Sequence, residues 1–218
     1  MRTSGWVVGA LVLACAACAE PAEEMTEDPG TPEATTEAEP PAMAQRDPSD
    51  ISCAPQRPRD SLAERRSAYD STQLSVGGRT AQICYGRPRM NDREIFGGLV
   101  PYGRLWRTGA DEPTTIHTPF AAAIAGIAVE PGSYSLYTIP AEQEWTVIVN
   151  RATSQWGHES TYTADIEAQE VGRATVMAER VDEPVEAFTI RAEPAAGDAA
   201  QIILEWENTR VRIPFAAR

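Results

Sequence analysis

Arginine beside an aromatic ring occurs in two stretches of this 218-residue chain, and a third stretch carries an aromatic with a histidine and a carboxylate. "YGRPRMNDRE" supplies Arg87, Arg89 and Arg93, "YGRLWRTGADE" supplies Trp106, Arg107, Asp111 and Glu112, and "SQWGHES" supplies Trp156, His158 and Glu159. A planar guanidinium forks onto the oxygens of an anionic or sugar-like group while a ring covers its apolar face. The candidate ligand-binding residues are therefore Arg87, Arg93, Trp106, Arg107, Asp111, Glu112, Trp156 and His158, all in expected loops. A second reading uses the same residues as scaffold: Arg93 and Arg107 pair with Glu94, Asp111 or Glu112 and tie a long loop down. The residues alone leave both open.

Several chemistries are excluded or unsupported. The chain has no lysine, which removes Schiff-base and lysine-nucleophile mechanisms, and it shows no G-x-S-x-G, phosphate-cradling or H-E-x-x-H motif. No catalytic residue and no cofactor are assigned. His117 and His158 are the only histidines, so one chain cannot build a three-histidine metal site. A mixed site with Asp111, Glu112 or Glu159 has no supporting spacing, and no metal is assigned; His117 reads as a hydrogen-bonded strand residue. Hydrolysis through Asp111 with Glu112 or Glu159 as acid and base is an alternative, but adjacent strand residues point oppositely, so that pair needs irregular backbone.

The elements that must position these residues are mostly strands. From Pro55 onward apolar residues recur every second position. "STQLSV" and "RTAQICY" flank Gly77-Gly78, a two-residue hairpin signal, and Pro131-Gly132 turns the chain into "SYSLYTIP". "EWTVIVN", "RATVMAE", "EAFTIRA", "AQIILEW" and "TRVRIPF" follow, the last two predicted as a hairpin across Asn208-Thr209. About nine to ten short strands with no alternating helices argue for one all-β domain over 55–218, a sandwich or jelly-roll-like fold with one or two short helices. The helices are expected at "SLAERRSAY", where Ser61 and Glu64 have capping-box spacing, and as one turn at "REIFGG". Trp145, Val147, Ile148, Phe188, Ile190, Ile203 and Trp206 are the expected core.

Ahead of the domain the composition changes twice. Residues 1–18, with Arg2 before the apolar run Trp6 to Ala14, read as a secretory leader too short to span a bilayer. Its small residues before cysteine resemble a bacterial lipoprotein signal, with Cys15 or Cys18 as the lipidated residue. Residues 19–54 hold ten acidic residues against one arginine, −9 of the chain's net −13, with six prolines and no aromatic. Such a segment cannot bury enough surface to offset its ordering entropy and reads as a disordered tether. The folded part is then only mildly acidic and its arginines are scattered, which disfavours nucleic-acid binding. The expected partner is a cell-envelope membrane, reached through a lipid anchor, in an exported protein of the periplasm or outer membrane. Cys53 and Cys84 form an even pair that invites a disulfide in that compartment.

"YGRPRMNDREIFGGLVPYGRLWRTGADEPTTI", "PGSYSLYTIPAEQEWTVIVNRATSQWG", "DEPVEAFTI" and "LEWENTRVRIPF", in that order, resemble the domain-of-unknown-function family 2911 of exported bacterial proteins, from about Asp60 to Phe215. The resemblance implies a β-rich exported domain and carries no reaction, ligand or catalytic residue. The matching polar positions are Arg87, Arg93, Trp106, Arg107, Thr108, Gly109, Glu112 and Trp156, whereas His117 and His158 lie outside the pattern. The expected function is a lipid-anchored module that binds a small ligand or envelope component. The alternatives are a hydrolase of an envelope polymer and an assembly protein without a small-molecule site.

Overall fold

In the computed structural model of the protein the described residues are Cys53, 65–156 and 158–218, all within the unit Ala42–Arg218. The leader, Cys15, Cys18, the tether apart from Cys53, and Ser61 and Glu64 lie outside them. In chain order the strands are β1 (Ala68–Val76), β2 (Arg79–Arg87), β3 (Thr114–Thr118), β4 (Ala122–Ile124), β5 (Ile127–Val129), β6 (Gly132–Ile139), β7 (Glu144–Asn150), β8 (Glu170–Pro194) and β9 (Ala199–Ala217). They form one antiparallel sheet in the order β1-β2-β3-β6-β7-β8-β9-β4-β5. Gly77 and Gly78 close the expected β1–β2 hairpin with φ of 54° and 73°, values that side-chain-bearing residues resist and that match the twist of a two-residue turn.

The sheet folds back over itself. Thr72 Oγ1 in β1 donates to the Ile190 carbonyl of β8 at 2.7 Å, and the Ile190 amide donates to the Tyr85 hydroxyl of β2 at 3.1 Å. These bonds join strands that are not ladder neighbours, giving a sandwich-like fold around an aromatic core. Phe96–Trp145 and Trp106–Phe188 meet edge-on at 4.9 and 5.1 Å, and Trp106 stacks on Trp206 at 5.9 Å. Such pairs contribute roughly 0.5–1.5 kcal/mol each beyond their burial. All seven residues expected in the core are buried. Cys53 is disulfide-bonded to Cys84 with Cα atoms 5.6 Å apart, which staples the chain ahead of β1 to β2.

Three local expectations are corrected. The chain does not end in a hairpin at Asn208-Thr209: β9 runs through it, Glu207 takes φ 53°, and Asn208 Nδ2 bonds the Val181 and Asp182 carbonyls of the facing strand. "RATVMAE" and "EAFTIRA" are likewise one strand, β8, which absorbs Asp182 to Pro184 as register shifts between Arg180 and Val185. Among the described residues neither expected helix is present. Arg65 to Ser67 are irregular and Tyr69 already pairs with Gly86, while the Ile95 and Phe96 amides donate to the Glu207 carboxylate instead of to helical partners. Among the described residues the short helices are a 3-10 turn at Glu159–Thr161 and α1 (Ala164–Glu167).

Candidate functional site

The loop between β2 and β3 is held by its backbone. Trp106 exchanges two hydrogen bonds with Thr138 of β6, at 2.7 and 2.9 Å, and its indole donates to the Gly109 carbonyl at 3.2 Å. Thr108, fully buried at φ 57°, bonds Thr138 through its hydroxyl at 3.0 Å, and Thr114 Oγ1 donates to the Thr108 carbonyl at 2.5 Å. A Cβ on Gly86 would stand 2.0 Å from the Ala110 carbonyl oxygen, so only glycine in β2 lets the loop lie this close. Asp111 then takes φ 66°, and Asp111 and Glu112 both reach the side chain of Arg65.

Arg65 is the residue that sequence reasoning missed. Its side chain is only 6 % exposed, and its guanidinium meets Glu112, 3 % exposed, through Nη1–Oε2 at 3.1 Å and Nη2–Oε1 at 3.2 Å. Asp111 Oδ2 lies 3.9 Å from the same Nη1. The guanidinium carbon stands 5.4 Å from the Tyr69 ring centroid and 5.2 Å from that of Trp156, within cation–π range. Burial, reinforced by Glu112 and opposed by Arg65, pushes the Tyr69 hydroxyl up to about 12. No local signal in "AERRSAY" points to this role, because its carboxylate partner is 47 residues away.

The loop that carries Trp156 also makes a second ion pair, to Arg107. Buried Asn150 donates to the Ile166 carbonyl at 2.7 Å and accepts from the Ala152 amide at 2.7 Å, which ties down the segment carrying Gln155, Trp156 and Glu159. Glu159 opens the 3-10 turn and accepts from both the Arg107 amide, at 3.2 Å, and Arg107 Nη1, at 2.7 Å. Tyr137, beneath this pair, is raised by burial first and then by Tyr162 and Glu159.

The other sequence candidates divide. Trp106 belongs to the aromatic core. Arg93 is exposed and folds back onto the Met90 and Arg89 carbonyls at 2.8 and 2.7 Å, around the left-handed residues Asn91 and Asp92. Arg87 pairs with Asp70 at 3.6 Å and Thr189 at 3.2 Å, outside the cluster. His158 is exposed, its carbonyl accepting from Thr161. The expected convergence of Arg87, Arg93, Trp106 and Arg107 on one ligand does not occur: Arg65 meets Asp111, Glu112 and Trp156, and Arg107 meets Glu159 on the loop that carries Trp156. His117 bonds Ser133 at 2.7 Å in the β3–β6 ladder. Among the described residues no three His, Cys, Asp or Glu side chains are grouped to hold a metal ion, and no helix is long and apolar enough to cross a membrane. An open groove of about 580 Å³ lies elsewhere, at the β8 bulge between Arg180 and Val185.

Fold and cluster together define an all-β, sandwich-like domain with a half-buried arginine–carboxylate–aromatic cluster on its loops. The model of the family described as "Protein of unknown function (DUF2911)" matches residues 67–215, and the chain belongs to that family. No curated protein and no solved structure matches it.

Proposed function

We propose that this protein is an exported, lipid-anchored module that binds a small polar ligand or envelope component through the cluster of Arg65, Arg107, Asp111, Glu112, Trp156 and Glu159. The observation that carries the reading is a concentration of unmet hydrogen bonds. Of seven buried side-chain polar atoms without a hydrogen-bond partner among the described residues, six belong to Arg65, Arg107, Asp111, Glu112 and Gln155. Arg65 Nη1 and Glu112 Oε2 are in ion-pair contact at 3.1 Å, but a buried polar atom with no partner costs roughly 1–3 kcal/mol, so a purely structural network would gain by satisfying or removing the others. Two arginines face three carboxylates, which favours a ligand that donates hydrogen bonds over an anion. Asp111 and Glu112 share one guanidinium and are not a free acid–base pair, which favours binding over hydrolysis. Export and anchoring rest on the cysteine-terminated leader and the acidic tether. A thermal-shift panel of amines, neutral sugars, peptidoglycan fragments and carboxylates tests the site: donor-rich compounds should raise Tm in the wild type and not in Trp156→Ala. A panel without response, or responses unchanged by that substitution, would leave the scaffold reading in its place.

A further inference from the structure

The walls of the Arg65 cluster and its occupant come from different parts of the chain. Tyr69, Asp111, Glu112 and Trp156 all lie within the family match at 67–215, whereas Arg65 precedes it, in irregular backbone ahead of β1. The walls have the form that a guanidinium recognises. Glu112 offers both carboxylate oxygens side by side, at 3.1 and 3.2 Å from two guanidinium nitrogens, and two rings flank the cation with centroids 5.4 and 5.2 Å away. A fork of this kind with stacked rings suits the planar guanidinium better than a compact ammonium.

The occupant fits incompletely. Arg65 Nε and Nη1, Glu112 Oε2 and Asp111 Oδ2 are buried and make no hydrogen bond, although Nη1 and Oε2 remain in ion-pair contact. Donor and acceptor capacity is thus left over on both sides of one contact. A guanidinium entering from another direction, on a chain not tied to β1 three residues later, is free to turn its Nε–H and Nη–H edges toward those oxygens.

We propose that Tyr69, Asp111, Glu112 and Trp156 form a receptor for the guanidinium group of a ligand, and that Arg65 is an internal stand-in which the ligand displaces. This rests on reading the cluster as a ligand site. The exchange keeps the charge balanced, one guanidinium leaving as another enters, so buried Glu112 keeps a counter-charge. Arg65 stands outside β1, whose ladder begins at Ala68, so its withdrawal breaks no strand hydrogen bond. The group has two sources, a small guanidino compound or an arginine side chain of a peptide.

The test is chemical rescue on the full-length chain. Arg65→Gly leaves Glu112 unpaired and should lower Tm by roughly 6 °C or more. Ethylguanidinium or the peptide Gly-Arg-Gly should restore Tm in proportion to the logarithm of concentration, while n-butylammonium and Gly-Lys-Gly restore little. The double variant Arg65→Gly/Glu112→Gln should not respond. A larger effect of the peptide than of ethylguanidinium assigns the peptide source, and equal effects assign the small compound. Rescue by ammonium as strong as by guanidinium, or rescue that survives Glu112→Gln, overturns the receptor. If Arg65→Gly does not fold, Arg65→Lys serves, with the same ranking expected. Gly-Arg-Gly must also bind the wild type, at least tenfold more weakly than the variant; no binding to the wild type at 10 mM, roughly the weak limit of recognition, makes Arg65 a permanent strut. Should other compounds bind the cluster while guanidinium rescues nothing, the site stands and the guanidinium assignment falls.

Discussion

Gly86→Ala probes how the "YGR" and "RTGADE" segments meet. The added Cβ would lie 2.0 Å from the Ala110 carbonyl oxygen and 2.8 Å from its carbonyl carbon, where ordinary contacts are 3.4–4 Å. Both obstacles are backbone, so relief requires the 106–112 loop to move by more than an ångström. That movement disturbs the Trp106 indole bond to Gly109 and the Thr108–Thr138 and Thr114–Thr108 bonds, all of them buried. Overpacking alone costs about 1–3 kcal/mol, and loss of two or three net hydrogen bonds at ~1 kcal/mol each brings the expected total to roughly 3–5 kcal/mol. Gly78→Ala is the control: nothing lies within 4 Å of its Cβ, and the cost is that of φ 73° alone, about 1–2 kcal/mol. Urea unfolding followed by tryptophan fluorescence reads both. A Gly86→Ala cost equal to or below that of Gly78→Ala would refute the close approach.

Three further outcomes follow from the same contacts. In a double-mutant cycle, Arg65→Met or Glu112→Leu alone should cost about 3–5 kcal/mol by stranding a buried charge, and the double variant clearly less than the sum; additive losses would show that the pair is not coupled. All six tyrosines are raised above 10.0, burial being the largest cause in each, so a 295 nm titration at pH 10 should find the native protein well under half ionised. Because the folded state holds those protons longer, stability present below pH 10 is lost as pH rises further. Glu205 is held below 4.5 mainly by its hydrogen bond to Arg191 and then by Arg210, and Glu170 is held below 4.5 by Arg173. Their contribution is full above 4.5 and lost as pH falls through the depressed values, so Glu205→Gln should flatten the acid limb of a stability-versus-pH curve.

How far the sequence reached depended on how local each determinant was. Gly77-Gly78 announces its hairpin because positive φ at two adjacent positions is a requirement that only a few residues meet. The β4–β5 hairpin was invisible: its turn, Ala125-Gly126 at φ 52° and 82°, sits inside the apolar run "AAAIAGIAV", which has no alternation. The length of β8 and β9 was equally hidden. Pro184 and Asn208 read as breaks, and the bulges that absorb them exist only because the two strands face each other, with Asn208 filling the gap. Arg191 with Glu205 and Arg212 with Glu193 and Glu179 then pair across those strands, with no sequence spacing to announce them, and the within-strand pairs Arg191–Glu193 and Arg210–Glu205 join them into one network.

The candidate site was half legible for the same reason. Asp111, Glu112, Arg107 and Trp156 stood out by residue type in loops, but type could not tell Arg93, which turns back on its own carbonyls, from Arg107, which bridges to Glu159. Arg65 lay inside a plausible helix start. Its importance comes from a buried carboxylate far along the chain that pairs with no other cation among the described residues.

The most direct measurement of the central claim, that this cluster is a recognition site, is the indole region of a two-dimensional NMR spectrum. Trp156 lines the cluster, whereas Trp145 and Trp206 are buried in the aromatic core and serve as internal controls. On titration with Gly-Arg-Gly and the other members of the ligand panel, binding predicts a saturable shift of the Trp156 indole N–H and of the amides of Arg107, Asp111 and Glu112, with the Trp145 and Trp206 signals unmoved. If no ligand moves the Trp156 signal in a saturable way, or if the Trp145 and Trp206 signals move with it, the cluster is scaffold and the binding account is wrong.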